Sequence, residues 1–187
     1  MESIEENLDE TEDEQPMELI EQDTDEADDK PPIITLPEAS GYRFVSGSAK
    51  LSDAFQTLLS TKIIPQLENH IKVYNVNVIE VIGHTDGQII KSGKGNLDDE
   101  LENVVYSSSV EAIDTLIPAS NADLGLMRAL SVIKFFQLEQ TKGRLLGIHF
   151  RPYSAGQILL PNGQLAHVNR NPDEERRRIE LRLIREE

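Results

Sequence analysis

Val73-Tyr74-Asn75-Val76-Asn77-Val78-Ile79-Glu80-Val81-Ile82, running into Gly83-His84-Thr85-Asp86, is the stretch on which the fold turns. Valine and isoleucine dominate it, and β-branched side chains suit a pleated, packed surface better than a helix. The run predicts a buried strand over 73–82 that stops at the glycine and leaves Asp86 just past its C-terminal end. Upstream, Leu51, Phe55, Leu58, Leu59, Ile63, Leu67 and Ile71 recur at helical spacing behind a cap at Ser52 or Asp53, and Pro65 predicts a kink or a break. Further upstream, Gly41 to Val45 reads as a short strand ended by Ser46-Gly47-Ser48. Downstream, Asn121 opens a second helix with Leu124, Met127, Leu130, Ile133, Phe136 and Leu138 on or near its apolar side. Leu145 to Tyr153 reads as a third strand. Leu159 to Gly163 reads as a turn or small hairpin. Arg178 to Ile184 alternates Ile179, Leu181 and Leu183 with Glu180 and Arg182, the pattern of a half-buried strand. Strand, helix, strand, helix, strand, strand predicts an α+β fold of two layers, a mixed four-stranded sheet with helices packed on one face.

Charge divides the 187 residues in two. Residues 1–30 hold 15 acidic side chains and one lysine, a net of −14, while residues 31–187 sum to −2. The first segment is too polar and too charged to offset its ordering entropy by apolar burial, so it is expected to be a disordered acidic linker. Lys30-Pro31-Pro32 marks the boundary to one folded domain over 31–187. Within it, residues 87–120 form a long connection that suggests either a lid or interaction surface, or a tolerated insertion.

These features exclude several classes of function. The chain has no cysteine, which removes disulfide frameworks, thiolate metal sites and cysteine nucleophiles. A nearly neutral body behind an acidic segment is a poor nucleic-acid binder. No 18-residue apolar run is present, and the first residues lack the basic and apolar regions of a signal peptide. The four histidines, at 70, 84, 149 and 167, show no metal-ligand spacing. No nucleophile–base pair emerges, and no cofactor is expected. The reading is a binding module rather than an enzyme. Arg176-Arg177-Arg178 follows Asp173-Glu174-Glu175, so paired surface charge is the simplest expectation there.

Polar residues collect at the ends of elements. Asp86 ends a strand, Asn121 starts a helix, Arg128 lies two turns further on the same helix face, and Arg177 and Arg178 begin the last strand. A carboxylate and one or two guanidiniums converging in a cleft would suit a ligand carrying both an ammonium and a carboxylate. The other reading is that Asp86 and Arg128 simply pair with each other. Spacing leaves both open.

At these residues the chain resembles the OmpA-like peptidoglycan-binding family, which includes OmpA, Pal and the flagellar stator protein MotB. Phe44-Val45-Ser46-Gly47-Ser48-Ala49-Lys50-Leu51 is similar to the family's opening strand and turn in the form typical of MotB-like members. Val81 to Asp86 resembles its Gly-His-Thr-Asp strand end, Pro118 to Ala129 its Asn-x-x-Leu-Ser-x-x-Arg-Ala helix, and Arg176 to Leu181 its Asn-Arg-Arg-Val-Glu-Ile closing strand. Gly125 stands where the family usually has serine, and Arg176 where it usually has asparagine. The resemblance implies non-covalent binding of the diaminopimelate in the peptide stem of Gram-negative peptidoglycan. Asp86 would hold the ammonium and Arg128 the carboxylate, with Thr85, Asn121, Leu124 and Arg177 in supporting roles. It further implies a periplasmic domain, anchored through a membrane helix upstream of this sequence, working with a MotA- or ExbB-type channel and as a homodimer. The competing reading is a protein-interaction module on the same fold that uses the 87–120 insertion.

Overall fold

The computed structural model describes residues 30–38, 44, 47–91 and 93–187. The acidic segment before Lys30 and most of the strand expected over 41–45 therefore lie outside the described residues. Phe44 forms a single β-bridge with Leu51.

The first strand, β1, is Ile33–Pro37, a stretch the sequence reading did not treat as a strand. Its alternation places Ile34 and Leu36 in the core. α1 (Asp53–Leu58) starts at Ser52, whose side chain accepts the amide of Phe55. A widened π turn, Leu59–Ile63, joins α1 to α2 (Ile64–Tyr74). Pro65 falls in the first turn of α2. It has no N–H to donate, and the π turn before it accommodates the lost bond, so the helix passes Pro65 instead of breaking there.

The strand expected over 73–82 is Val78–His84, here β2. Val73 and Tyr74 belong to α2, which ends at Asn75 in the left-handed conformation. Tyr74 packs on the same core as Leu67 and Ile71, and that tertiary contact outweighs local β-propensity. The 87–120 connection folds into α3 (Leu97–Tyr106) and a short 3-10 turn, Glu111–Thr115. α4 (Asn121–Thr141) begins behind a capping box in which Ser120 and Asp123 each satisfy the other's backbone amide. β3 is His149–Gly156, four residues later than expected at its start. Residues 145–148 are a helix-to-strand turn: Glu68 accepts the amide of Leu145, and Gln140 donates to the carbonyls of Leu145 and Ile148. β4, Arg178–Ile184, falls where the alternation predicted it.

The strands form one mixed sheet in the order β1-β4-β2-β3. β4 runs antiparallel to β1 and β2, and β2 and β3 run parallel. α1, α2 and α4 pack on one face against Ile79, Val81, Ile179, Leu181 and Leu183. The fold is thus α+β, with a mixed four-stranded sheet and helices on one face, as expected. α4 is buried on more than the expected side: Ala129, Val132 and Phe135 join Ile133 and Phe136 in the main core, while Leu97, Val104, Ile113 and Leu116 of the 87–120 connection cover Met127 and Leu130 in a second, smaller core. Among the described residues no helix is long and apolar enough to cross a membrane.

Two glycines set the spacing between the layers. A Cβ at Gly83 of β2 would lie 1.9 Å from the carbonyl oxygen of Gly125 on α4. Helix and strand backbones touch there. The space a serine side chain would take at 125 is held instead by Ser154 of β3, whose Oγ would sit 2.3 Å from a Cβ on Gly125.

Candidate functional site

The parallel pairing of β2 with β3 shifts register between Gly83 and His84, so His84 stands opposite Gly156. Thr85 then donates its amide to the carbonyl of Gly156 at 2.8 Å, and the chain leaves the sheet with Asp86 over the edge of α4. Asp86 is pinned from three sides. Its Oδ1 accepts the amide of Gln88 at 3.1 Å, and its Oδ2 accepts the amide of Asp173 at 3.2 Å and Nη1 of Arg177 at 2.7 Å.

Arg177 sits just before β4. It donates from Nε to Glu38 Oε2 at 2.5 Å, while the amide of Glu38 donates to the carbonyl of Arg177 at 3.0 Å. Glu38 follows directly on β1, so the pairing of β1 with β4 delivers it to this place. Burial opposes the charge on Arg177, but its bonds to Glu38 and Asp86 leave its pKa raised.

Arg128 comes from α4 and is held differently. Its Nε donates to the carbonyl of Ser48 at 3.3 Å, its guanidinium carbon lies 4.8 Å from the centre of the Phe44 ring, and Nη2 is 3.6 Å from Glu38 Oε1. That last distance is an ion-pair contact rather than a hydrogen bond. Among the described residues neither terminal nitrogen of Arg128 makes a hydrogen bond, although the side chain is only 4% exposed. Burial lowers its pKa, partly offset by the charge of Glu38. A guanidinium remains protonated even so.

These residues line one cleft of about 790 Å³. All six residues singled out from the sequence, Asp86, Arg128, Asn121, Thr85, Leu124 and Arg177, are on its wall. Asn121 donates to the carbonyl of Gln88 at 2.8 Å and so fixes the start of the insertion as one side of the cleft. Thr85 Oγ1 is buried and unpartnered among the described residues. The simple Asp86–Arg128 pair is not what forms. The order is Asp86, Arg177, Glu38, Arg128, with each carboxylate facing an arginine and Arg177 shared between both.

Glu38, Phe44 and the wall at Gln88, Ile89, Ile90 and Lys91 were not singled out from the sequence. The signal for Glu38 was available in its spacing from Ile34 and Leu36, which puts all three on one face of an extended stretch. The expectation of paired surface charge at Arg176-Arg177-Arg178 is corrected: Arg176 and Arg178 are buried. Strand alternation sends Arg178 to the face away from the helices, where it donates to the carbonyls of Leu159 and Leu160 and to Glu180, while Arg176, in the turn before β4, donates to the carbonyl of Gln157. His84 lies on that face too, fully buried, with Nε2 3.1 Å from Glu180 Oε1. Among the described residues no group of three His, Cys, Asp or Glu is placed to hold a metal.

Chemically, the cleft offers two carboxylates and two guanidiniums linked in one chain, which sum to zero, and the exposed Lys91 on its wall adds one positive charge. It has an apolar floor at Leu124 and one arginine edge without hydrogen-bond partners. That set can bind a zwitterion. It contains no side chain arranged as a nucleophile with an adjacent base.

No family model matches the chain, and no curated protein does. Among solved structures, the chain is similar to the periplasmic domain of Helicobacter pylori MotB, at 19% identity and a TM-score of 0.48, covering 83% of each chain. It is also similar to a MotB-like protein from Desulfovibrio vulgaris, at 16% identity and a TM-score of 0.47, covering 83% of this chain and 76% of that one. Likenesses at this level carry no argument about the site, and the fold stands on the strand order and helix layer described above.

Proposed function

We propose that the cleft binds, without covalent chemistry, the amino-acid end of the diaminopimelate in peptidoglycan stem peptides. The domain then serves in the periplasm as a wall anchor for an envelope or stator-like complex, and a MotA- or ExbB-type channel and a second copy of the chain are its candidate partners. The observation that carries this reading is Arg128: a buried cation, poorly hydrogen-bonded, in the same cleft as Asp86. A ligand carboxylate would give it the bidentate partner that Glu38, at 3.6 Å, does not. The motif resemblance at Gly83 to Asp86 and Asn121 to Ala129 supports the same ligand.

Pelleting with purified diaminopimelate-type sacculi tests it. Asp86→Ala and Arg128→Ala should each lower the bound fraction about tenfold or more, as expected for losing one partner of a desolvated charged contact. Melting curves on both variants separate lost binding from lost folding. If either variant, shown to be folded, pellets as well as the parent, the site is misassigned.

A second reading has its own observation. Tyr106 is 87% exposed and Val105 40% exposed at the end of α3. These would suit a protein partner docking on the insertion. Under that reading sacculi are not bound at all, and Tyr106→Asp abolishes partner capture.

A further inference from the structure

Glu38 is the one carboxylate of the cleft with an unmet oxygen. Its side chain is 6% exposed, Oε2 is bonded to Arg177, and Oε1 accepts no hydrogen bond among the described residues. Folded proteins rarely leave a buried polar atom unpaired, and a charged one least of all. Asp86, by contrast, already receives two backbone amides and one guanidinium nitrogen. A hydrogen-bond donor entering the cleft therefore meets its most deprived carboxylate at Glu38, not at Asp86.

The group that fits Oε1 is narrowly defined. A ligand carboxylate is excluded there by like charge and belongs at Arg128. A neutral donor would satisfy one lone pair but leave the carboxylate's charge opposed only by Arg128 at 3.6 Å and Arg177. An ammonium supplies both the proton and the charge. The four linked charges of the cleft, Asp86, Arg177, Glu38 and Arg128, sum to zero, so a ligand with one ammonium and one carboxylate preserves their balance.

We propose that Glu38 is a ligand-binding and selectivity residue: its Oε1 accepts a hydrogen bond from the ligand's ammonium beside Asp86, which makes the cleft selective for a free, charged amine over an acylated one. This rests on the wall-binding reading above and adds to it a residue outside the four motifs.

The test is a cycle between residue and ligand. One probe is the tripeptide N-acetyl-L-Ala-γ-D-Glu-meso-diaminopimelate. The other is the same peptide acetylated on its remaining amine. Both are titrated by NMR into the parent chain and into Glu38→Gln, which keeps the size of the side chain. The substitution should weaken the free-amine peptide about tenfold and the acetylated peptide less than about twofold, the unequal response that marks a direct contact. Equal losses for both peptides would mean that Glu38 only positions Arg177, and no loss for the free-amine peptide would mean that it does neither; both overturn the proposal. An independent readout is the pKa of the bound peptide's amine, followed by 15N NMR. It should stand above the free value in the parent and fall back towards it in Glu38→Gln, and no change between the two refutes the contact. If the parent binds neither peptide nor sacculi, the wall-binding reading itself has failed. If the parent binds and Glu38→Gln binds alike, only the present inference has.

Discussion

Replacing Gly83 by alanine drives a methyl group into the backbone of α4. Its Cβ would stand 1.9 Å from the carbonyl oxygen of Gly125 and 2.7 Å from its carbonyl carbon. Non-bonded carbon contacts are comfortable only from roughly 3.5 Å, so the central strand and the longest helix must separate by more than about 1 Å. Neither neighbour is the flexible end of a side chain, and no rotamer change relieves the clash. Overpacking a dense core costs about 1–3 kcal/mol and occasionally more, and a backbone-on-backbone wedge belongs at the top of that range. At about 2–4 °C per kcal/mol for a chain of this size, Tm should fall by roughly 6–12 °C. Gly125→Ala is the control. Its Cβ would meet Ser154 Oγ at 2.3 Å, which can swing away by giving up the bond it accepts from the Gly156 amide, and the carbonyl oxygen of Gly83 at 2.8 Å, which must shift by a few tenths of an ångström. Alanine also returns about 1 kcal/mol of helix propensity, so the net cost is about 1 kcal/mol. Asp86 lies three residues beyond Gly83 and Arg128 three beyond Gly125, so the wedge also parts the two sides of the cleft. Thermal melts followed by circular dichroism, with sacculus pelleting alongside, measure both effects. A Gly83→Ala protein melting within about 2 °C of the parent, or melting above Gly125→Ala, refutes the tight-contact reasoning.

Two further predictions concern charges away from the cleft. Burial would raise the pKa of Glu180, but the His84 imidazole at 3.1 Å and the Arg178 guanidinium hold it down at about 2. Because the folded-state value lies below the unfolded one, this group's contribution is present above the unfolded pKa and is lost as pH falls from about 4.5 towards 2, up to roughly 3 kcal/mol in all. Glu180→Gln should flatten that part of the Tm–pH curve and, by leaving Arg178 short of its counter-charge, cost about 3 kcal/mol at pH 7; a variant that keeps the parent's acid slope counts against the assignment. Lys134, its pKa lowered by burial, donates to the carbonyls of Val105 and Ser107 and so ties the C-terminal end of α3 to α4. Lys134→Met should cost about 1–2 kcal/mol and speed amide exchange in α3 well before the central sheet; uniform exchange across both would show that the insertion is not a separate unit.

Periodicity was legible where one face of a strand packs apolar side chains and the other pairs charges. Arg178–Ile184 alternates because its two faces meet different surroundings, and its bounds came out as read. The β-rich run before Gly83 was legible as a strand, but its first residues went to α2, since Tyr74 gains more from the helix-side core than from the sheet. The second, smaller core was not legible, because Leu97, Val104, Ile113 and Leu116 have too irregular a spacing to announce a common partner.

Residue types and their order along the chain were enough to single out Asp86, Asn121, Arg128 and Arg177, since each sits at an element's end or on one helix face, whereas Thr85 and Leu124 became candidates only through the family resemblance. Local pattern could not tell who pairs with whom. Pairing is long-range: Glu38 and Arg177 are 139 positions apart and meet only because β1 zips onto β4. Among the described residues, that same pairing leaves Asp86 crowded, Arg128 without a hydrogen bond at its terminal nitrogens and Glu38 with one bare oxygen. Those unequal demands, which set what the cleft can hold, exist only once the sheet has closed.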